Sequence, residues 1–362
     1  MAGLSKIPSA GFQDNVKFRN LVINGDMSIA QRSTSTASIT TSGYHTVDRF
    51  YTLASIGTWT QSQSTDVPSG QGFSSSFKMD CTTANASPSA GELLIIQQRI
   101  EGQNLQYLKK GTSSAESLTC SFWVKSNKTG TYITQLYDTD NTRQISKSYT
   151  ISSADTWEKK TITFAGDTSG TLNNDNAESL RLNFWLGAGT NFTSGTLQTS
   201  WGSAVDADTA VGQVNLADST SNEWYITGVQ LEAGTTASDF EFLPHDVNLN
   251  RCLRYYYVHV EGNSQQIGVG GYYNSTYVSC SLQFPQEMRS APSLVIVTGG
   301  SYYGIYRNNS LDQFDNFDAG IVNPTTTSCG IECSSLVSGT AGHSGRFVTR
   351  NASSLIAFNA EL

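Results

Sequence analysis

Two segments, 118–125 and 180–187, alternate apolar and polar residues and therefore predict two half-buried strands. Side chains alternate across a strand, so each segment has an apolar side and a polar side that carries one tryptophan, Trp123 or Trp185. The apolar positions are Leu118, Cys120, Phe122 and Val124 in the first segment, and Leu180, Leu182, Phe184 and Leu186 in the second. Strands of this kind favour the inner faces of a β-sandwich over a helical protein.

Strand patterns recur along the chain and are separated by turn-forming residues. Before residue 240 they cover 21–29 (with a hairpin turn at Asn24-Gly25), 48–53, 57–61, 77–81, 93–100, 118–125, 131–137, 144–151, 157–164, 180–186 and 224–231. This density of short strands predicts a jelly-roll β-sandwich over residues 20–243. The region 187–223 predicts a long loop, with a short strand near 211–214 as the alternative.

The pattern changes after residue 243. Asp246 can cap a helix, and Leu249, Cys252, Leu253 and Tyr256 follow at helical spacing, so a linker helix is predicted over 244–257. Residues 258–362 return to strand patterns at 266–273, 276–284, 294–298, 304–307, 345–350 and 355–360. The predicted fold class is all-β: a jelly-roll β-sandwich followed by a short helix and a second, smaller β-sandwich.

Composition and charge narrow the classes of partner. The 362 residues carry a net charge of −8, which disfavours a nucleic-acid partner. No apolar run reaches the roughly 18–20 residues of a membrane span, and no signal segment is recognised at the N-terminus, so we expect a soluble protein without a membrane partner. The six cysteines are predicted to be free thiols, with a Cys329–Cys333 bridge as the alternative.

Residues 1–19 are polar, rich in turn-forming residues and too short for a core of their own. Their composition suits an arm that docks on another protein, and it suits a disordered tail equally well. Both interpretations stay open at the level of the sequence.

Several stretches resemble tail-fibre and adhesin-type virion proteins of tailed bacteriophages, whose jelly-roll module is similar to carbohydrate-binding modules. The opening 4–11 resembles the segment that attaches such proteins to the particle. The stretches 20–32 and 47–50 resemble the start of the jelly-roll module. Further resemblances lie at 121–126 through 157–164, 228–234, 251–256, 284–292 and 357–362.

The resemblance implies a protein on the surface of the virion, made in the host cytoplasm, that attaches the particle to a glycan or protein of the host surface. It further implies that the chain forms a homotrimer and that residues 1–19 contact other virion proteins. Related modules also occur on heads, so the alternative is a head-decoration or tail-connecting protein without its own receptor. A third interpretation is an envelope-degrading depolymerase.

Six aromatic residues are candidates for ligand binding. Trp123 and Trp185 lie beside hydrogen-bonding residues on the polar sides of their strands, as a sugar ring requires; the alternative is that the 187–223 loop or a neighbouring subunit covers both rings. Tyr272, Tyr273, Tyr302 and Tyr303 lie near turns, where tyrosine often serves recognition, although it also packs across strands. Because 258–362 is the predicted distal tip, these tyrosines are expected to contribute more to receptor binding than the two tryptophans.

A metal site and a catalytic site have less support in the sequence than the aromatic candidates. The stretch 138–141 has alternate oxygen donors that could bind Ca²⁺, but a plain hairpin turn is the favoured interpretation. No Ser/His/Asp set, carboxylate pair or phosphate loop stands out in the sequence. We therefore predict a protein that is not an enzyme and that uses no cofactor and no metal.

Overall fold

The computed structural model describes residues 18–362, which form four antiparallel sheets and one short helix. Of the predicted docking arm 1–19, only Phe18 and Arg19 belong to the described part. Within that part, no helix is long and apolar enough to cross a membrane.

Thirteen strands precede the helix within the described residues. They are β1 (Ser35–Ile39), β2 (Gly43–Tyr44), β3 (Tyr51–Ala54), β4 (Thr58–Ser64), β5 (Ser76–Thr83), β6 (Leu93–Glu101), β7 (Leu118–Ser126), β8 (Gly130–Asp138), β9 (Arg143–Ile151), β10 (Glu158–Phe164), β11 (Glu178–Ala188), β12 (Gly202–Ser203) and β13 (Glu223–Ala233). One sheet has the order β1-β4-β5-β13-β7-β10, and the facing sheet has the order β12-β9-β8-β11-β6-β3-β2.

The two segments that opened the sequence analysis are β7 and β11, one in each sheet. Their apolar positions are buried in a single core, where the rings of Phe122 and Phe184 meet edge to face with 5.1 Å between centroids. Burying this many apolar side chains contributes roughly 25 cal/mol for each Å² removed from water. The predicted jelly-roll-like sandwich and the buried faces of both strands are confirmed.

The helix α1 (His245–Leu253) is followed by ten more strands. They are β14 (Tyr256–Glu261), β15 (Gln266–Asn274), β16 (Tyr277–Gln283), β17 (Ser293–Ile296), β18 (Tyr303–Arg307), β19 (Ser310–Phe314), β20 (Gly320–Val322), β21 (Ser328–Cys333), β22 (Ser344–Thr349) and β23 (Leu355–Asn359). A sheet of three strands, β14-β23-β17, and a sheet of seven, β19-β18-β22-β15-β16-β21-β20, share a second core. The short helix and the second sandwich agree with the predicted fold class.

Residues 21–29 do not form the predicted hairpin. This segment is irregular and buried, and the Asn24 side chain bonds to the backbone of Ile29 and Asp48. The backbone of Gly25 packs against Val229 of β13, where a side chain at position 25 would collide with the Val229 carbonyl. The Asn-Gly pair therefore serves close packing against a strand instead of a two-residue turn.

The predicted helix over 244–257 is too long at its C-terminal end. It stops at Leu253, and Tyr256 begins β14, which pairs with β23. The pairing of Tyr256 with Asn359 supplies backbone hydrogen bonds that helical continuation would lose. The predicted 187–223 loop is present, and the alternative of a short strand near 211–214 is not observed; the loop contains the two-residue β12 instead. The strands β1, β2, β14, β19, β20 and β21 were not predicted either.

All six cysteines are free and buried. Cys329 and Cys333 both lie on β21, four residues apart along one strand. At about 3.3 Å per residue, this spacing places their Cα atoms roughly 13 Å apart, well beyond disulfide reach. The prediction of free thiols is confirmed, and the Cys329–Cys333 alternative is wrong.

A buried charged cluster joins the first sandwich to α1 and to the last residues of the chain. The Arg49 guanidinium is 1% exposed, forms an ion pair with Glu361 and lies over the Tyr255 ring at 3.5 Å. Nearby, Arg254 donates two hydrogen bonds of 2.9 and 2.8 Å to the Glu101 carboxylate. These contacts hold the C-terminal end of α1 against the first sandwich.

Candidate functional site

A cleft lies on the outward face of the sheet that contains β7, β10 and β13. Trp123 of β7 is paired with Lys159 of β10 on one side and with Thr227 of β13 on the other. Because alternate residues of β7 point away from the core, the polar side that carries Trp123 faces outward, as the pattern predicted. Its ring is half-buried, so part of it faces the cleft.

Two irregular segments, 65–75 and 234–243, rise beside these strands and form the cleft wall. The Phe73 ring lies 5.1 Å from the Phe240 ring and 5.0 Å from the Phe242 ring, and the latter two are 4.8 Å apart. The three rings form one aromatic cluster. The enclosed space measures about 300 Å³ and is lined by Gln71, Phe73, Ser121, Trp123, Lys159, Gly228, Asp239, Phe240 and Phe242. We call it the Trp123 cleft.

Gly228 allows Phe73 to reach this position. It lies at a register shift in β13 and has a φ of +62°, which a side-chain-bearing residue rarely adopts. A Cβ atom at this position would be 2.5 Å from Cζ of Phe73. The wall of the cleft therefore depends on a glycine at the bulge.

Replacing Gly228 by alanine should displace Phe73 and weaken ligand binding in the cleft. Gly262→Ala is the matched control, because Gly262 lies between β14 and β15, outside the cleft, and has a φ of +87°, but a Cβ atom added there would meet no other atom within 4 Å. Both changes introduce left-handed strain of about 1–2 kcal/mol, measurable by thermal unfolding. Only Gly228→Ala should also lower affinity; an equal loss in both variants would show that strain, not the Phe73 contact, matters.

The polar groups of the cleft complement its aromatic rings. Ser121 contributes a hydroxyl group and Gln71 contributes an amide. Lys159 and Asp239 are exposed charged residues that also line the cleft. An aromatic face stacks on the C–H face of a sugar ring, while hydroxyls, amides and charged groups bind the sugar hydroxyls. The cleft thus presents both kinds of surface within one small volume.

A second aromatic row lies next to the cleft on the same sheet. The Tyr225 ring has the Lys125 ammonium 4.3 Å from its centre and the Lys78 ammonium 5.2 Å away. Trp157 donates a 2.9 Å hydrogen bond to Asp66, which also pairs with Lys125. Burial acts to raise the pKa of Asp66, but these two donors hold it below its ordinary value, so the carboxylate stays charged. Lys125 is therefore engaged in this row and does not line the cleft.

Trp185 is buried, in contrast to Trp123. It is 3% exposed, its indole N–H donates to Gln135 at 3.1 Å, and its ring lies 5.4 Å from that of Phe192. Phe192 belongs to the 187–223 loop, which packs over this part of the sheet together with Leu197 and Ala210. The alternative in which the loop covers the ring applies to Trp185 and not to Trp123.

The four candidate tyrosines lie in different environments. Tyr272 and Tyr303 are 3% and 0% exposed; the first donates to Asp312 and the second donates to the Val297 carbonyl at 2.6 Å. Tyr302 is half-buried, and of the four only Tyr273, at 81% exposed, projects into solvent. The prediction that all four contact a partner is corrected for Tyr272 and Tyr303, because both rings belong to the second core.

The turn at 138–141 joins β8 to β9. The Asp138 carboxylate pairs with the Lys110 ammonium and accepts hydrogen bonds from Asn141, while Asp140 accepts from Asn173. These donors occupy the oxygen atoms that a Ca²⁺ ion would need. The observed geometry is that of the hairpin turn favoured by the sequence.

No family model and no curated protein matches the sequence. Among solved structures, the chain is similar to the enzymatically active domain of tailspike protein 4 of bacteriophage CBA120, at a TM-score of 0.30 and 15% identity over 60% of this chain. The match spans 22% of that tailspike domain.

Carbohydrate-binding modules are similar at comparable levels. A family 11 module from Clostridium thermocellum, solved with a β-1,3-1,4-mixed-linked tetrasaccharide, matches with a TM-score of 0.27 and 12% identity over 56% of this chain and 98% of the module. A xylan-binding domain from Paenibacillus barcinonensis matches with a TM-score of 0.26 and 9% identity over 56% of this chain and 94% of that domain. What the Trp123 cleft can bind follows from its own side chains.

The sequence analysis identified Trp123 as a candidate, but it did not identify the phenylalanines that form the wall of the cleft. Phe73, Phe240 and Phe242 lie in segments without regular structure, so no periodicity marks their orientation. The closely spaced Phe240 and Phe242, just before the predicted domain junction, were the one signal that could have drawn attention to them.

Proposed function

We propose that the protein binds a glycan in the Trp123 cleft. One observation carries the proposal: an outward-facing tryptophan and a cluster of three phenylalanines enclose about 300 Å³ together with polar and charged side chains. A space of this size suits one or two sugar residues. The function is binding without cleavage, and the released sugar measured after incubation with the glycan is expected to stay at background.

The resemblance to tail-fibre and adhesin-type virion proteins supplies the setting for this activity. In that setting the glycan belongs to the surface of a bacterial host, and the protein attaches the phage particle to it. The acidic net charge of −8 agrees with such a role, since it disfavours nonspecific binding to nucleic acid.

The proposal is tested by screening the purified chain on an array of bacterial surface glycans and by measuring its binding to host cells. Binding to a defined glycan class, competed by the same soluble glycan, is the expected result. Absence of glycan and cell binding would favour the head-decoration or tail-connecting alternative.

Deletion of residues 1–17 should separate attachment to the virion from glycan binding. The deletion spares Phe18 and Asn20, whose backbone N–H groups each donate a 3.0 Å hydrogen bond to Glu241. We expect a folded chain with unchanged glycan affinity that no longer joins particles. The measurement is incorporation into particles assembled with the truncated chain, and normal incorporation would contradict the docking role.

A further inference from the structure

A second groove lies away from the Trp123 cleft, between the first sandwich and α1. Two adjoining hollows of about 380 and 360 Å³ share Phe18, Arg251 and Arg254 as lining residues. One hollow continues along β6 toward Tyr107, and the other continues along α1 toward Val247. We call the two together the Arg251 groove.

The charged groups that line this groove are all cationic. Arg99, Arg251 and Arg254 line it, and no aspartate or glutamate does so among the described residues. The carboxylates that balance Arg254 and Arg99 belong to Glu101 and Glu178, with side chains 0% and 14% exposed. Two of the three arginines are thus balanced by carboxylates, and Arg251 is the one that lines the groove without an ion pair among the described residues.

Arg251 is the cation with least compensation. Its one hydrogen bond in the described structure is a 3.3 Å contact from Nη2 to the backbone carbonyl of Asn20. Burial lowers the pKa of Arg251, and the nearby Glu241 carboxylate is already committed to the N–H groups of Phe18 and Asn20. A half-buried guanidinium in this position retains donors for an incoming carboxylate.

Apolar surface accompanies the cations. Phe18 and Tyr107 are 53% and 46% exposed, and among the described residues only Phe242 and Tyr273 are aromatic side chains of similar or greater exposure. Val247 of α1 and Leu21 add aliphatic surface to the same groove. Exposed rings beside a desolvated arginine are typical of protein-binding surfaces.

We propose that the Arg251 groove docks an acidic segment of another protein, one that combines carboxylates with apolar side chains. Charge complementarity carries this choice. Residues 1–17 of this chain carry two lysines, Lys6 and Lys17, against the single carboxylate of Asp14, so their excess of positive charge does not complement Arg251. The carboxylate would pair with Arg251, and the apolar side chains would cover Phe18 and Tyr107.

The test uses the full chain and two fluorescein-labelled decapeptides. One contains glutamate, leucine and glycine, and the other has glutamine at every glutamate position. Fluorescence anisotropy should show tighter binding of the glutamate peptide, weakening steeply as salt is raised. Arg251→Gln should reduce its affinity about tenfold, because hydrogen bonds to charged groups are the strong ones, whereas Arg251→Lys should retain more of it.

The matched control is Arg346→Gln, which removes one positive charge from an exposed arginine far along the chain, on β22. It should leave peptide affinity unchanged, and thermal unfolding should show each variant folded at the assay temperature. Equal binding of the glutamine peptide, or an equal loss in Arg346→Gln, would overturn the proposal. So would binding that appears only after deletion of residues 1–17, since the groove would then belong to the chain's own N-terminal segment.

Discussion

Replacement of Trp123 by alanine is expected to remove most glycan binding while the protein stays folded. The half-buried indole lies on the outward face of β7, so its loss opens no cavity in the core formed by Phe122 and Val124. A central aromatic anchor contributes about 2 kcal/mol or more at a binding hot spot, which corresponds to an affinity reduced roughly thirtyfold. Isothermal titration with the glycan identified on the array measures the loss directly.

Two further variants make this result specific. Trp123→Phe should keep part of the affinity, because a smaller aromatic face still stacks on a sugar ring. Tyr273→Ala removes the most exposed tyrosine of the second sandwich and should leave glycan affinity unchanged. A monovalent assay is needed, since avidity in an oligomer masks losses at single sites.

The opposite result would indicate that the binding site lies in the second sandwich. If Tyr273→Ala abolished binding while Trp123→Ala bound normally, the sequence-based expectation for the tyrosines would hold at that position. Tyr303→Ala is unsuited to this comparison, because its fully buried ring packs against Phe314 and Phe317 and its loss would destabilise the core.

Among the variants proposed for this protein, Arg49→Ala should lower the free energy of unfolding most. The Arg49 guanidinium donates a 2.7 Å hydrogen bond to the Arg99 carbonyl, lies over Tyr255 and pairs with Glu361. Burial opposes the charge, yet the Glu361 carboxylate holds the pKa of Arg49 above its ordinary value. Removing one partner of a buried ion pair costs about 3–5 kcal/mol when the other charge is left unpaired. Glu361 keeps a second partner in Arg32, 3.2 Å away, so we expect a loss near the lower end of this range.

Urea unfolding followed by tryptophan emission measures this cost. All six tryptophans lie before residue 234, so the signal reports the first sandwich, to which Arg49 belongs. Arg181→Ala is the control, because this arginine belongs to β11 of the same sandwich, its side chain is 32% exposed, and its guanidinium lies 5.6 Å from the centre of the Tyr137 ring, outside the contacts of Arg49. Unfolding midpoints that coincide for wild type and Arg49→Ala would show that the contacts of the Arg49 guanidinium add no net stability.

The sequence predicted the buried and exposed faces of a strand correctly where the apolar residues follow a strict period of two. Along β7 and β11 every second residue is apolar, and both strands contribute those residues to one core. A period of two leaves a single way to bury such a strand, so its inward and outward faces follow from the pattern alone. That is why Trp123 could be placed on the outward face without a structure.

The sequence predicted poorly where a residue's neighbours come from distant segments. Trp123 and Trp185 have the same strand context, yet Phe192 covers one ring and the other lines an open cleft. Likewise, Tyr272 and Tyr273 are adjacent on β15, and only the packing of β15 against the second core decides which of the two rings is buried. Composition marks such residues as candidates and does not say which side of a sheet stays open.

The chain's all-β class, its two sandwiches and the short helix between them were determined by the sequence alone, because local pattern and turn chemistry dictate them. Only the tertiary structure decided which aromatic ring is accessible, that Phe73, Phe240 and Phe242 wall the cleft, and that Arg251 faces a groove without a carboxylate among the described residues. The physical reason is that these properties depend on contacts between segments far apart in the chain, and such contacts leave no periodic trace in the sequence.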